Sequence, residues 1–195
     1  MSSIYLKNTF GIENPRIGLL NIGTEETKGN ELTKESYKLL KEKSEELNIN
    51  FIGNVEGRDA FSGEIDAIVT DGFTGNIFLK AVEGLGKFVK RSLKDSMKKN
   101  ILSILASIPS LPAMKRFAKT VDYKEYGGAL FLGVKKPVVK AHGSSDEKLF
   151  EFTIKQAEQF VENKAVDKMI EEFQKEVDKR WQELLNLEEM TNIAQ

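Results

Sequence analysis

The chain has 195 residues, 30% of them charged and 40% hydrophobic, with a formal net charge of -1 and no cysteine. That length suits one domain with a sizeable core, and the near-neutral balance excludes both a disordered polyelectrolyte and a strongly basic nucleic-acid binder. Without cysteine there are no disulfides, thiolate zinc sites or thiol nucleophile, and a reducing cytoplasm is the default compartment.

The opening residues MSSIYLKNTFGIEN lack the apolar core of a secretion signal, and no apolar run approaches the roughly 20 residues that span a bilayer. Ile17 to Ile22 is a continuous apolar run, as in a strand covered on both faces. The polar loop GTEETKGN, which carries Lys28 and reads as a surface loop able to border a cleft, leads to a helix from about Thr33 to Leu47. Asn50 to Gly53 reads as a short strand and NVEGRD as a loop. Ile65 to Thr70 is a second buried strand, ended by Asp71-Gly72, and a long helix starts near Phe73 with Ile77, Ala81, Leu85 and Phe88 as its core stripe. Strands and helices at these spacings predict an α/β sheet with parallel neighbours.

Residues 97–120 form an amphipathic helical arm, split by Pro109 and Pro112. A β-hairpin follows over Ala129 to Val134 and Pro137 to Ala141. Ser144 and Glu147 match the S-x-x-E capping box of the next helix, whose buried face would carry Phe150, Thr153, Ile154, Ala157, Phe160 and Val161. A C-terminal helix occupies 166–190, its regular part from about Val166 to Leu187 with Met169, Ile170, Phe173, Val177, Trp181 and Leu184 on one side. The whole is read as one α/β domain, 1–195.

Three segments have the chemistry of a site. In DGFTGN, Asp71, Gly72, Thr74, Gly75 and Asn76 join a strand end to a first helical turn, where backbone N–H groups and the helix dipole favour anions. The alternative is an aspartate cap with glycines that serve packing. In AHGSSD, His142 can donate to an anion or move a proton, or simply fix the corner. Gly143, Ser144 and Ser145 open the next helix, as ligands or as caps. In NVEGRD, Arg58 is either a phosphate fork or half of an ion pair with Asp59 or another acid, while Asn54 and Glu56 can orient a substrate. Gly127 and Gly128 are either a close-approach loop or a turn before the hairpin.

Five segments in series, NPRIGLLNIGTEETKGN (14–30), INFIGNVEGRD (49–59), DAIVTDGFTGNIFLK (66–80), DYKEYGGALFLGV (122–134) and KAHGSSD (140–146), resemble the bacterial phosphate acyltransferase (PlsX) family from about Ile4 to about Lys168. The resemblance implies a Rossmann-like three-layer α/β/α sandwich, related to phosphotransacetylases and to isocitrate and isopropylmalate dehydrogenases. It implies transfer of a fatty acyl group from acyl carrier protein to inorganic phosphate, giving acyl phosphate for phospholipid synthesis. It also implies a cytoplasmic homodimer in peripheral contact with the membrane, needing no cofactor or metal and no nucleic acid. On the same resemblance, Met1 to Tyr5 aligns inside the family pattern, which carries a further α/β half before this point. Catalytic roles then fall to His142, Asn76 and Arg58, with the other residues named above binding substrate.

The arm supplies a second surface. Leu102, Leu105, Ile108 and Leu111 are the expected membrane contacts, edged by Lys98, Lys99, Lys115, Arg116 and Lys119. The alternative is a helical hairpin buried in a dimer. The stripe Lys87, Lys90, Arg91, Lys94 and Lys98 can receive an acidic carrier protein or be a solvated helix face. Two rival readings are a short-chain phosphotransacetylase using acyl coenzyme A and a non-catalytic fragment that dimerises or binds membrane. A dehydrogenase is disfavoured, because no G-x-G-x-x-G follows a strand.

Overall fold

A computed structural model describes residues 1–101, 107–120, 128–143, 145–175, 177, 178 and 182. The expected sites Leu102, Leu105, Gly127 and Ser144, and the expected helix positions Trp181 and Leu184, lie outside the described residues. The chain divides into two compact units, Met1–Val69 with Gly128–Gln195, and Thr70–Gly127.

The first unit is built on a parallel sheet. Strands β1 (Ile17–Asn21), β2 (Phe51–Glu56) and β3 (Ala67–Val69) lie in the order β2-β1-β3, so β1 is central. Its Ile17, Leu19 and Leu20 are buried, as a strand covered on both faces requires. Helix α1 (Ser2–Phe10) precedes β1 and sets Tyr5 against Phe160, ring centroids 6.2 Å apart. Helix α2 (Glu31–Ser44) links β1 to β2 and packs Tyr37 edge-on against Phe51 at 5.5 Å.

The expected strand over 50–53 is longer than its sequence suggested. Gly53 reads as a strand breaker, yet it takes φ 95° opposite a register shift at Ile17/Gly18, and pairing resumes through Asn54, Val55 and Glu56. Asn54 and Glu56 are therefore strand residues rather than loop residues. The helix expected from Thr33 begins at Glu31, because the Asn30 side chain accepts from the Thr33 N–H at 2.9 Å, and its regular part ends at Ser44 instead of Leu47. The strand expected over 65–70 narrows to Ala67–Val69, since Asp66 turns its carboxylate onto Arg16 at the amino edge of the sheet.

A two-stranded antiparallel sheet follows, β4 (Gly128–Leu130) with β5 (Val139–Ala141), shorter than the expected hairpin. Helix α4 (Leu111–Thr120) and the preceding 3-10 turn Ile108–Ser110 carry Pro112 and Pro109 as their second residues, within the first turn, where a missing N–H costs nothing. Helix α5 (Glu147–Glu162) lies against β5 and β4. Its buried residues are Leu149, Thr153 and Phe160, whereas Phe150, Ile154 and Val161, expected inside, are 54%, 56% and 61% exposed. The periodicity identified an apolar helix, but two stripes compete on it and the sheet covers only the one centred on Thr153. After a turn with Lys164 at φ 49°, residues 165–175 are again helical, with Ala165 and Val166 buried.

The second unit contains helix α3 (Gly72–Met97), 26 residues long, and α4. The expected core stripe of α3 is not buried: Ile77, Leu85 and Phe88 are each more than half exposed, as is Phe73. An amphipathic pattern reports a face suited to burial, and among the described residues this one is left open to solvent. No described helix is long and apolar enough to cross a membrane.

Candidate active site

Because β1, β2 and β3 are parallel, their carboxyl ends share one edge, where open α/β sheets bind ligands. Asn21 and the 22–30 loop follow β1, and Glu56 to Asp59 follow β2. Asn54, one turn of pleat earlier on β2, is 5% exposed and donates from Nδ2 to the Glu25 carbonyl at 2.9 Å. Its Oδ1 is buried and has no hydrogen-bond partner among the described residues.

The segment after β2 is a self-contained charge cluster. Arg58 Nε lies 2.5 Å from Glu56 Oε2 and 3.8 Å from Asp59 Oδ1, while the Glu56 N–H donates to Asp59 Oδ2 at 3.0 Å. Arg58 is 79% exposed. Its fork is engaged by carboxylates but open to solvent, so an anion can reach its outer nitrogens. Of the two readings of Arg58, the structure displays the ion pair, with Glu56 as the nearer acid.

Asp71 N-caps α3, its Oδ1 accepting from the Phe73 and Thr74 N–H groups at 2.9 Å each. Hydrogen bonds from Thr74, side chain and then backbone, hold its carboxyl below the usual carboxylate range. Gly75 packs its backbone against the Thr70 methyl, Gly72 has open space around it, and Thr74 and Asn76 are exposed on the first turn.

The corner before α5 differs from its expectation in one respect. The N-cap is Asp146, whose carboxylate accepts from the Leu149 N–H at 2.9 Å, and Glu147 is the first helical residue. The Ser144–Glu147 capping box is thereby overturned: the helix begins at Glu147, and the residue next to it, Asp146, takes the N-cap position. Ser145 donates its N–H to the His142 carbonyl at 3.0 Å, closing a tight turn, and its Oγ is buried with no partner among the described residues. His142 is half-buried and engaged, and Gly143 faces open space.

Both helix starts expected to attract anions thus already hold an aspartate carboxylate. An arriving anion meets the remaining N–H groups and hydroxyls, not an empty dipole end. Gly128 lies inside β4 rather than in a preceding turn. A Cβ there would meet Val139 Cγ1 at 2.6 Å, the Lys140 carbonyl at 2.7 Å and Thr153 Cγ2 at 3.0 Å, and its N–H donates to Gln156 Oε1 at 2.9 Å. The close approach at Gly128 is made by the protein's own β5 and α5.

A family model described as fatty acid synthesis protein matches residues 1–168. The chain belongs to that family. It is 50% identical over 176 residues to the phosphate acyltransferase of Clostridium perfringens (strain SM101 / Type A), a match covering 90% of this chain and 51% of the relative. The phosphate acyltransferase of Clostridium novyi (strain NT) is 48% identical over 169 residues, covering 87% and 50%, and that of Thermoanaerobacter pseudethanolicus 45% over 174 residues, covering 89% and 51%. The chain spans about half the length of the curated relatives it matches.

The 22–30 loop, expected at the surface, is largely exposed. What the sequence did not reveal is that two amides tie it down: Asn21 donates to the Lys28 carbonyl at 3.1 Å, and the buried Asn54 donates to the Glu25 carbonyl at 2.9 Å.

In the second unit, α3 and α4 enclose a groove of about 550 Å³ floored by Leu93, Met97, Ile108, Leu111, Met114 and Phe117. Lys90, Lys94, Lys98 and Lys115 edge it. Ile108 and Leu111, two of the expected membrane contacts, are 53% and 45% exposed.

Proposed function

We propose that this chain forms part of a phosphate acyltransferase, which moves a fatty acyl group from acyl carrier protein to inorganic phosphate. The observation that carries the reading is the identity of about half of all aligned residues with proteins named phosphate acyltransferase, across 90% of the chain. A phosphate oxygen attacks the thioester carbonyl carbon, the C–S bond breaks, and the thiolate leaves and takes up a proton. A thiol of pKa about 8.5 departs with little acid assistance. The demands on the protein are therefore placement of an anion beside the acyl carbon and donors for the developing oxyanion.

In this reading the expected residues divide the work. His142, Asn76 and Arg58 supply donors and charge to phosphate and to the thioester oxygen. Asn54, Glu56, Asp71, Gly72, Thr74, Gly75, Gly127, Gly128, Gly143, Ser144 and Ser145 shape the binding surface. The parallel sheet belongs to a Rossmann-like three-layer sandwich of the phosphotransacetylase and isopropylmalate dehydrogenase kind, as a single α/β domain with residues 97–120 projecting as a helical arm. The product goes on to phospholipid synthesis.

In this reading the protein is a cytoplasmic homodimer that rests on anionic membrane through the arm, with Leu102, Leu105, Ile108 and Leu111 inserted; the lysine-edged apolar groove supports the membrane contact. It favours a long acyl chain over the short acyl group of a phosphotransacetylase. The basic face of α3 is suited to the acidic carrier protein.

The test is acyl phosphate formation from acyl-loaded carrier protein and inorganic phosphate, trapped with hydroxylamine. It is run with this chain alone and with the other half of the family pattern added as a separate polypeptide. Product in either arrangement supports the reading, and product in neither rejects it. His142→Ala should lower turnover at least tenfold with an unchanged circular dichroism spectrum, and wild-type turnover would remove His142 from the mechanism.

A further inference from the structure

Residues 22–30 leave the carboxyl end of the central strand, yet they are not a loose connection. The Glu25 carbonyl accepts from the Lys28 N–H at 3.1 Å, closing a turn, and from Asn54 Nδ2 at 2.9 Å. Asn21 Nδ2 donates to the Lys28 carbonyl at 3.1 Å, and Asn30 caps α2. Glu26 accepts from the Tyr37 hydroxyl at 3.0 Å and from Lys41 Nζ. The Lys41 and Tyr37 hydrogen bonds hold Glu26 below the usual carboxylate range.

Among these anchors Asn54 stands apart by its burial. It occupies a core position on β2, opposite Leu19 and beside buried Val55, where an aliphatic residue would fit without leaving polar atoms to satisfy. It makes one hydrogen bond, to the loop, and its second polar atom is buried without a partner among the described residues. A half-satisfied amide is a costly way to fill a core, so its return lies in what the one bond does.

We propose that Asn54 is a positioning residue for acyl transfer: through the Glu25 carbonyl it holds the 22–30 loop in the conformation that receives phosphate at the carboxyl edge of the sheet. The reaction half of this inference rests on the acyl-transfer reading; the anchoring half does not. Asn54 acts through the loop and not on the reacting atoms. That distinction has a kinetic signature. When the loop is held for only a fraction f of the time, apparent substrate affinity falls by that fraction, while saturating substrate restores the held state. Loss of the anchor therefore raises KM more than it lowers kcat, whereas a merely structural defect removes active molecules and leaves KM unchanged.

Asn54→Asp keeps the side-chain size and turns the donor into an oxygen facing the Glu25 carbonyl. Expected are at least a fivefold rise in KM for phosphate, a smaller change in kcat per folded molecule, and at least tenfold faster amide exchange within 22–30. Exchange at Leu19 and Leu20 of β1 stays as in the wild type. Asn21→Ala, at a less buried site, cuts the neighbouring anchor and should give the same pattern should the buried carboxylate impair folding. Unchanged KM with reduced kcat, or unchanged loop exchange, in both variants would overturn the proposal. A second measurement needs no turnover: inorganic phosphate should slow exchange in 22–30, with a midpoint at least fivefold higher in Asn54→Asp. Equal midpoints, or no protection of the wild-type loop, would overturn it as well. Absence of acyl phosphate formation with protection intact would instead reject the acyl-transfer reading alone.

Discussion

Replacing Asp66 by Asn tests the latch that joins the amino ends of β1 and β3. The Asp66 carboxylate accepts from the Arg16 backbone N–H at 2.7 Å, from Nε at 2.9 Å and from the terminal guanidinium at 3.0 Å. Arg16 in return accepts from the Asp66 and Ala67 N–H groups. The Arg16 side chain and then its backbone N–H lower the Asp66 carboxyl from 3.8 to about 2. A shift of nearly two pH units corresponds to at most about 2.4 kcal/mol. The Arg16 side chain is 35% exposed and its charge is screened, so roughly 1–1.5 kcal/mol is the figure to expect. The sign follows from the lowered folded-state value. The contribution is complete above the unfolded pKa near 3.8 and disappears as pH falls through about 2.

Urea unfolding of wild type and Asp66→Asn should differ by that amount at pH 7, and the gap should narrow steadily from pH 4 to pH 2. Other carboxylates titrate over the same range, but they do so in both proteins and cancel in the difference. A gap that stayed constant from pH 7 to pH 2.5 would refute the charge-based account and leave only hydrogen-bond geometry or packing as its source.

Gly128→Ala should destabilise the chain by about 1–3 kcal/mol, read from the urea midpoint, because the added methyl meets the Lys140 carbonyl and two side chains; an unchanged midpoint would show that β4 yields freely. Ile108→Glu combined with Leu111→Glu should abolish flotation with anionic liposomes while leaving the helical circular dichroism signal in place, and undiminished flotation would dismiss the arm as the membrane contact.

The candidate site was legible in the sequence at the level of segments. DGFTGN and AHGSSD announce themselves because glycine, aspartate and serine mark strand-to-helix corners, and the structure does place such corners there, whereas the first half of NVEGRD, expected as a loop, belongs to β2. Which side chain performs each local task was less accessible. Ser144 and Asp146 are both acceptable caps in a one-dimensional reading, and only the point where α5 begins selects Asp146. Arg58 could face a ligand or an acid until β2 carried Glu56 to within 2.5 Å.

Family membership, the parallel α/β plan and a strand covered on both faces within the 17–22 run were determined by the sequence itself. These rest on local periodicity and on motifs whose order along the chain is their evidence. Tertiary structure alone decided that β2 runs on past Gly53, that Asn54 ties the 22–30 loop to the sheet, and that α3 and α5 keep apolar stripes in solvent. The reason is the same each time. A hydrophobic period tells a helix or strand which face wants covering, but the partner that covers it, or leaves it bare, sits far away in the chain and is settled by how the elements pack.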